Sequence, residues 1–245
     1  MQWQDHGMVV NMSPYGDTRV ILSVFTRNHG LYNGLIRRCS KKQSLQIGDR
    51  ISVTWRARLV NNLGYFSSYE VLSSSFYSYF QDRSKLLCLS SITATIYKSI
   101  PTNYAHPSLY DYLVEFADAA ETGKHWYSKY LKLELEVLSQ LGFALDLSKC
   151  AVYNSTENLQ FISPKTGRAI SEKAGAQYRH MLFPLPGILR DLNRGISVER
   201  CTSREFAVCL RILGFFLHRH LLSEDANFVA QRKTMGALLF SKVSL

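Results

Sequence analysis

The first 80 residues alternate between short β-rich segments and clusters of turn residues. The β-rich segments cover residues 8–12, 20–26, 31–36, 51–59 and 66–76. Turn signals separate them at residues 13–17, 28–30 and 48–49. Five short strands in so little chain favour a small closed barrel such as an OB-fold, because closure leaves no exposed sheet edge.

The segment 51–59 has the clearest strand pattern in the chain. Its odd positions are apolar and its even positions are polar. Because successive side chains of a strand point to opposite faces, the apolar set is expected to face the core. That set is Ile51, Val53, Trp55, Ala57 and Leu59. The same alternation places Arg56 and Arg58 together on the outer face.

After residue 80 the hydrophobic period becomes helical. The pattern predicts helices over 82–100, 107–123, 126–141 and from a capping-box signature at Thr202 to Leu222. Residues 146–178 are poorly periodic and predict a short hairpin over 159–170. The expected fold class is therefore α+β, with an N-terminal OB-fold barrel in residues 1–80 and an α-helical domain in residues 81–245.

Composition favours one class of partner and argues against a membrane-spanning or secreted protein. The 245-residue chain carries a net charge of +10, which favours a polyanionic partner, although charge that only maintains solubility is the alternative. The longest apolar stretch, 206–217, is interrupted by Arg211 and is too short for a bilayer-spanning helix. The N-terminus lacks the features of a signal peptide. Five widely spaced cysteines suggest no disulfide framework, and a cytoplasmic location is expected.

The basic residues are concentrated in the predicted barrel. Residues 1–80 contain nine Lys or Arg and four acidic residues, and seven of the nine lie between Arg37 and Arg58. Such a cluster beside an OB-fold strand is typical of a surface that follows a phosphate backbone, while Tyr32 and Tyr65 are candidates for base stacking. The alternative is a solvated loop with aromatic rings that belong to the core.

The sequence contains no arrangement that nominates a catalytic site. It lacks a Gly-rich phosphate loop followed by Lys-Ser/Thr and lacks a Gly-x-Ser-x-Gly turn. His218 and His220 are two residues apart on a predicted helix and face different directions. Glu134 and Glu136 have the same spacing, and Glu134 is expected to pair with a nearby lysine. We expect no enzyme activity, with a hydrolase assembled from dispersed residues as an alternative.

Cys150 precedes the predicted hairpin without the partners that a structural zinc site needs. A zinc ribbon requires a second cysteine three residues later and another pair beyond the hairpin. Position 153 is tyrosine, and residues 167–174 contain no cysteine. Because one thiol cannot supply a tetrahedral site, we expect no metal and no cofactor.

The sequence resembles the RecO family of bacterial recombination mediators over nearly all of its length. The order and spacing of several segments carry the resemblance. They are the early turn with Asp17, the basic loop after Gly34, residues 45–49, residues 63–66 ahead of Glu70, residues 132–138, residues 141–143, Cys150, residues 167–169 and residues 182–186.

The resemblance implies an OB-fold that binds single- and double-stranded DNA, followed by a helical domain. It implies a protein that anneals complementary strands and helps load recombinase onto DNA coated by single-strand-binding protein (SSB). RecR and the C-terminal tail of SSB are the implied partners, with RecF and the recombinase RecA in some settings and no membrane. Many members carry a zinc ribbon with two Cys-x-x-Cys pairs. Here Tyr153, Ser171 and Ala174 stand near three of those positions, so residues 146–178 are expected to form a degenerate, zinc-less hairpin.

The expected site residues follow from the basic cluster and the resemblance. For DNA they are Arg19, Arg27, Arg37, Arg38, Lys41, Lys42, Arg56 and Arg58. For the SSB tail, the family's basic position maps onto Lys132, with Lys129 one turn earlier and Leu135 receiving the apolar end of the tail. No catalytic residue is expected. Because the protein is expected to bind DNA, we expect it to be associated with the nucleoid in the cytoplasm. An RNA- or ribosome-associated OB-fold protein and a protein-binding adaptor remain alternatives.

Overall fold

The computed structural model of the protein describes residues 1–37, 45–59, 63–74, 79, 81–222 and 226–241. The chain forms two compact units, Met1–Glu121 and Thr122–Leu245. The first unit contains the β-barrel and helical segments that follow it, and the second contains the remaining helices and a small sheet. The domain boundary expected after residue 80 stays a prediction.

Five strands of the first unit form a closed barrel. They are β1 (Gln2–Tyr15), β2 (Arg19–Thr26), β3 (Gly30–Arg37), β4 (Arg50–Arg56) and β5 (Gly64–Ser73). Their order around the barrel is β1-β2-β3-β5-β4, and the pairs are antiparallel except for a short parallel contact between β3 and β5. The α+β class with an N-terminal OB-fold-like barrel is thus confirmed.

The alternation predicted for β4 holds up to Ala57 and fails at Leu59. Ile51, Val53 and Trp55 are buried in the barrel core, as predicted. The strand ends at Arg56, and Leu59 is 61% exposed. The expectation that Leu59 faces the core was therefore wrong, because strand alternation no longer sets the side-chain direction once the chain leaves the sheet.

Closure of the barrel depends on two glycines beside aromatic rings. The parallel contact pairs Gly34 with Gly64 and Leu35 with Tyr65. A Cβ atom on Gly64 would lie 2.3 Å from the ring of Trp55, and one on Gly34 would lie 2.8 Å from the ring of Phe66. The bare backbone of these glycines therefore lets β3 and β5 approach over the aromatic core.

Seven helices follow the barrel. They are α1 (Arg83–Ser99), α2 (Pro107–Thr122), α3 (Trp126–Gln140), α4 (Glu172–Gly175), α5 (Gly187–Asn193), α6 (Ser203–His220) and α7 (Ala226–Ser241) among the described residues. Thr202 and Glu205 form the predicted capping box of α6. The pattern did not predict α5, which is short, or α7, whose apolar residues are not concentrated on one face. None of the described helices is long and apolar enough to cross a membrane.

A buried ion pair connects three helices of the second unit. Glu134 on α3 is almost fully buried and pairs with Arg232 on α7. The same guanidinium donates to the carbonyl oxygen of Leu210 on α6 at 2.7 Å. The lysine partner expected for Glu134 was therefore wrong, because the carboxylate faces the helix packing rather than the solvent-exposed side of α3.

The small sheet lies in residues 159–184, so it begins within the predicted 146–178 segment and ends beyond it. Its strands are β6 (Leu159–Ile162), β7 (Ala169–Ser171) and β8 (Phe183–Pro184), in the order β7-β6-β8. The β6–β7 pair is the hairpin that the sequence predicted over 159–170. It is followed by α4 and by a 3₁₀ turn, Ala176–Met181.

Candidate nucleic-acid interface

The outer face of the barrel has an open groove where β2, β3 and β5 meet. The groove has a volume of about 760 Å³. It is lined by Arg19, Leu35, Ile36, Arg37 and residues 63–69. The strand register places Arg19 directly opposite Arg37. We call this surface the β3–β5 groove.

The register also brings Arg56 to this face of the barrel. Tyr65 is the pairing partner of Leu35 on one side and of Arg56 on the other. Because paired residues of neighbouring strands share a sheet face, Arg56 and Tyr65 project on the same side. Arg56 is exposed, and Tyr65 is 48% exposed.

The chemistry of the β3–β5 groove suits a phosphate backbone with accessible bases. The guanidinium groups of Arg19, Arg37 and Arg56 supply donors for phosphate oxygens, and no carboxylate of the described residues pairs with them. The hydroxyl-bearing Ser67 and Ser68 line the same groove. The exposed ring of Tyr65 is suited to stacking on a base.

Arg27 lies outside the groove and is already paired. Its guanidinium binds both carboxylate oxygens of Asp111 on α2, at 2.8 and 3.0 Å. That hydrogen bonding lowers the pKa of Asp111 below its ordinary value. Arg27 lines a separate cavity of about 870 Å³ together with Arg50. The structure therefore does not bring Arg27 together with Arg19 and Arg37.

The remaining predicted DNA residues are only partly described. Arg58 is exposed in the bend two residues beyond β4. Arg38, Lys41 and Lys42 lie outside the described residues. In the sequence Arg38 follows Arg37 directly, and Lys41 and Lys42 come shortly after it. Arg37 itself ends β3 at the rim of the groove.

Tyr32, the other aromatic candidate, is packed within the barrel. Its ring contacts Trp3 and Trp55 edge-on, with ring centroids 4.8 and 4.9 Å apart. It is half-buried against the barrel core. The alternative interpretation of Tyr32 as a core aromatic is therefore favoured, and of the two candidates Tyr65 is the one that lines the groove.

Asp5 holds the far end of the β2–β3 hairpin, a role that the sequence did not reveal. Its buried carboxylate accepts hydrogen bonds from the backbone amide and side chain of Asn28, both at 2.9 Å, and from Nδ1 of His29 at 2.8 Å. Burial alone would raise the pKa of Asp5, but the bonds from His29, Asn28 and the amide of His6 together lower it. The carboxylate thus fixes the hairpin that carries Arg19 and Arg37 at its other end.

The three residues expected to receive the SSB tail lie along α3. Lys129 and Lys132 are half-buried, and Nζ of Lys132 donates to the carbonyl oxygen of Leu192 at 3.2 Å. Leu135 is only 6% exposed. The structure therefore places the two ammonium groups one turn apart near the surface, with Leu135 inside the helix packing.

The zinc-ribbon positions do not fit a zinc ion. Cys150 is fully buried, and its Sγ accepts a hydrogen bond from the backbone amide of Ser171 at 3.3 Å. Tyr153 is exposed, and Ala174 has no donor atom. Within the described ranges, no three His, Cys, Asp or Glu side chains are grouped as metal ligands. A single thiol with these neighbours falls short of a tetrahedral set.

Hydrogen bonds and packing hold the zinc-less hairpin instead. Asp146 pairs with Arg168 at 3.3 Å, and its backbone also pairs across to Ala169 at 2.9 Å. The ammonium group of Lys173 lies 5.4 Å from the ring centroid of Tyr153, in a cation–π contact. Burial raises the pKa of the Cys150 thiol, but hydrogen bonds from Ser171 and from neighbouring amides outweigh it and lower the pKa to about 7.

Comparisons with known proteins cover almost the whole chain. The family described as "Recombination protein O N terminal" matches residues 1–75, and "Recombination protein O C terminal" matches residues 80–226. The chain is 72% identical over 242 residues to the DNA repair protein RecO of Anaplasma phagocytophilum (strain HZ), covering 99% of each chain. It is 58% identical to that of Anaplasma marginale (strain Florida), covering 98% of this chain and 100% of the relative. It is 43% identical to that of Ehrlichia chaffeensis (strain ATCC CRL-10679 / Arkansas), covering 91% and 92%.

Proposed function

This chain belongs to the RecO family of DNA repair and recombination proteins, and we propose that its barrel binds single- and double-stranded DNA in the β3–β5 groove. The observation that carries this proposal is the shared outer face of Arg19, Arg37, Arg56 and Tyr65. Arg38, Lys41 and Lys42 continue the cluster in sequence beyond Arg37, and Arg58 continues it beyond Arg56. Arg27 has a peripheral role, since binding a phosphate would break its pair with Asp111.

The proposed activity is the annealing of complementary strands. Guanidinium and ammonium groups that neutralise phosphates release condensed counterions and reduce the repulsion between two strands. Contacts to phosphates carry no sequence information, so binding is sequence-independent and decreases steeply with salt. Stacking on Tyr65 is tolerant of every base, because every base has a π-face. The function is physical rather than catalytic and needs no cofactor.

The proposed partners are those of a recombination mediator. Lys129 and Lys132 on α3 are the proposed contacts for the carboxylates of the SSB tail. Because Leu135 is buried, the apolar end of the tail has to use a neighbouring surface of this helix. RecR, with RecF and the recombinase RecA, completes the proposed pathway at the nucleoid of the cytoplasm.

Fluorescence anisotropy with a labelled single strand tests the DNA site. We expect the double variant Arg37→Glu and Arg56→Glu to bind at least about tenfold more weakly, because it replaces two attractive charges with two repulsive ones. The matched control is Arg200→Glu with Arg204→Glu, which makes the same change of net charge at exposed positions of the second unit. Equal loss in both double variants would show a general charge effect and contradict the site.

A competition experiment separates DNA repair from the RNA-binding alternative. The proposed annealer binds a DNA strand that SSB covers. Because phosphate contacts and stacking also accept RNA, we expect an equal concentration of RNA of the same sequence to displace no more than about half of the labelled DNA strand. Preferential displacement by RNA would favour an RNA-associated OB-fold protein.

A further inference from the structure

The zinc-less hairpin region exposes a group of large apolar side chains. Met181 is 64% exposed, Val152 is 61% exposed and Tyr178 is 51% exposed. They surround a cavity of about 470 Å³ that Ile170, Ala174 and Leu182 also line. We call this surface the hairpin patch. Apolar side chains clustered around an open cavity are typical of an interaction site, whereas scattered exposed apolar residues are not.

The local fold explains why these side chains stay in contact with solvent. Val152 lies in the turn that follows the buried Cys150, and Tyr178 and Met181 lie on the 3₁₀ turn after α4. The interior of the hairpin is already filled by buried residues, which are Cys150, Leu159, Ile162 and Ala169. The patch is therefore additional to the hairpin core and is not required to complete it.

The charges around the hairpin patch are positive. Lys165 and Arg219 line the cavity, and none of the described residues that line it is acidic. The guanidinium of Arg219 donates to the carbonyl oxygen of Pro164 at 2.7 Å, which fixes its position at the rim. Lys173 adds a third cation beside the patch, over the ring of Tyr153. An occupant with carboxylates next to apolar side chains complements this surface.

We propose that the hairpin patch binds an acidic segment of a partner protein, with one or two apolar side chains inserted into the cavity. A cavity of this volume accepts large side chains, and Lys165 and Arg219 are placed to meet the flanking carboxylates. A second copy of this chain is a poor occupant because each copy carries a net charge of +10. A nucleic-acid backbone is also a poor occupant, because it offers Met181 and Val152 no apolar partner.

The test uses the full-length chain and two labelled peptides. In one, a Leu-Phe pair is flanked by Asp and Glu, and in the other Lys replaces every acidic residue. Both peptides are measured by fluorescence anisotropy in a Lys129→Glu, Lys132→Glu background, which removes the basic contacts proposed for the SSB tail on α3. We expect the acidic peptide to bind there and the basic peptide not to bind. Met181→Glu and Lys165→Glu should each weaken binding by at least about fivefold. Ile196→Glu, at another exposed apolar position of the second unit, is the matched control.

Several results would overturn the proposal. They are equal binding of the two peptides, binding of neither, unchanged binding by Met181→Glu, and displacement of the acidic peptide by single-stranded DNA. Because Met181 is exposed, its variant should keep the wild-type thermal unfolding transition, which circular dichroism checks. Affinity for DNA in the β3–β5 groove should be unchanged in Met181→Glu. A negative result for the hairpin patch would therefore not contradict the proposed DNA site.

Discussion

Two arginines of the same hairpin show how position decides the role of a side chain. Arg27 lies at the turn end of β2 and pairs with Asp111, which is 84 residues away in sequence. Arg37 lies at the opposite end of the hairpin and lines the β3–β5 groove. The sequence could nominate both as cations, but it could not reveal a partner on a distant helix. The same holds for Glu134, whose partner Arg232 is 98 residues away.

Among single residues, the buried Asp5 leads to a prediction about how the free energy of unfolding changes in acid. Its folded-state pKa is lowered from the ordinary 3.8. The ionised carboxylate therefore stabilises the fold above about pH 4, and this contribution is lost as the pH falls through the lower folded pKa. We expect Asp5→Asn to lower the free energy of unfolding at pH 7, because the bonds from Asn28 and His29 lose their charged acceptor.

Urea unfolding of the wild type and Asp5→Asn between about pH 7 and pH 3 provides the measurement. The difference in unfolding free energy should stay constant near neutral pH and shrink as the pH falls below about 4. A difference that is independent of pH would show that Asp5 contributes through shape rather than charge.

At the scale of elements, the hydrophobic pattern predicted the strands better than it predicted the details of their ends. The alternation in β4 identified Ile51, Val53 and Trp55 as core residues because each faces a single continuous interior. It failed at Leu59, where the strand had already ended. Helix α5 was missed because seven residues give too little periodicity, and α7 because its apolar residues cover more than one face.

The parallel pairing of β3 with β5, which closes the barrel, leads to a prediction about stability. We expect Gly64→Ala to destabilise the protein by about 1–3 kcal/mol, because the added methyl group overlaps the ring of Trp55. Gly187→Ala is the matched control, since a Cβ atom there meets no atom within 4 Å. We expect the control to lie within about 0.5 kcal/mol of the wild type.

Urea unfolding monitored by tryptophan fluorescence measures both glycine variants. The spectrum of folded Gly64→Ala should also change, since the substitution displaces Trp55. Equal stability of the two variants would contradict the close packing of Gly64 on Trp55.

For the whole molecule, the proposed function rests on charge placed on the outside of the barrel rather than on a catalytic cluster. The net charge of the chain predicted a polyanionic partner, and the resemblance to RecO predicted DNA. The strand register then brought Arg19, Arg37 and Arg56 to one surface. Composition could not have separated these residues from Arg27, since only the register and the pair with Asp111 distinguish them.

The most direct measurement is the annealing rate of complementary oligonucleotides, one coated with SSB, at about 50 and about 200 mM salt. We expect the protein to accelerate annealing at the lower salt and this acceleration to be lost at the higher salt. Arg37→Glu with Arg56→Glu should abolish the acceleration, whereas Arg200→Glu with Arg204→Glu should retain it. No acceleration at either salt, with SSB still bound, would contradict the account and favour a protein-binding adaptor.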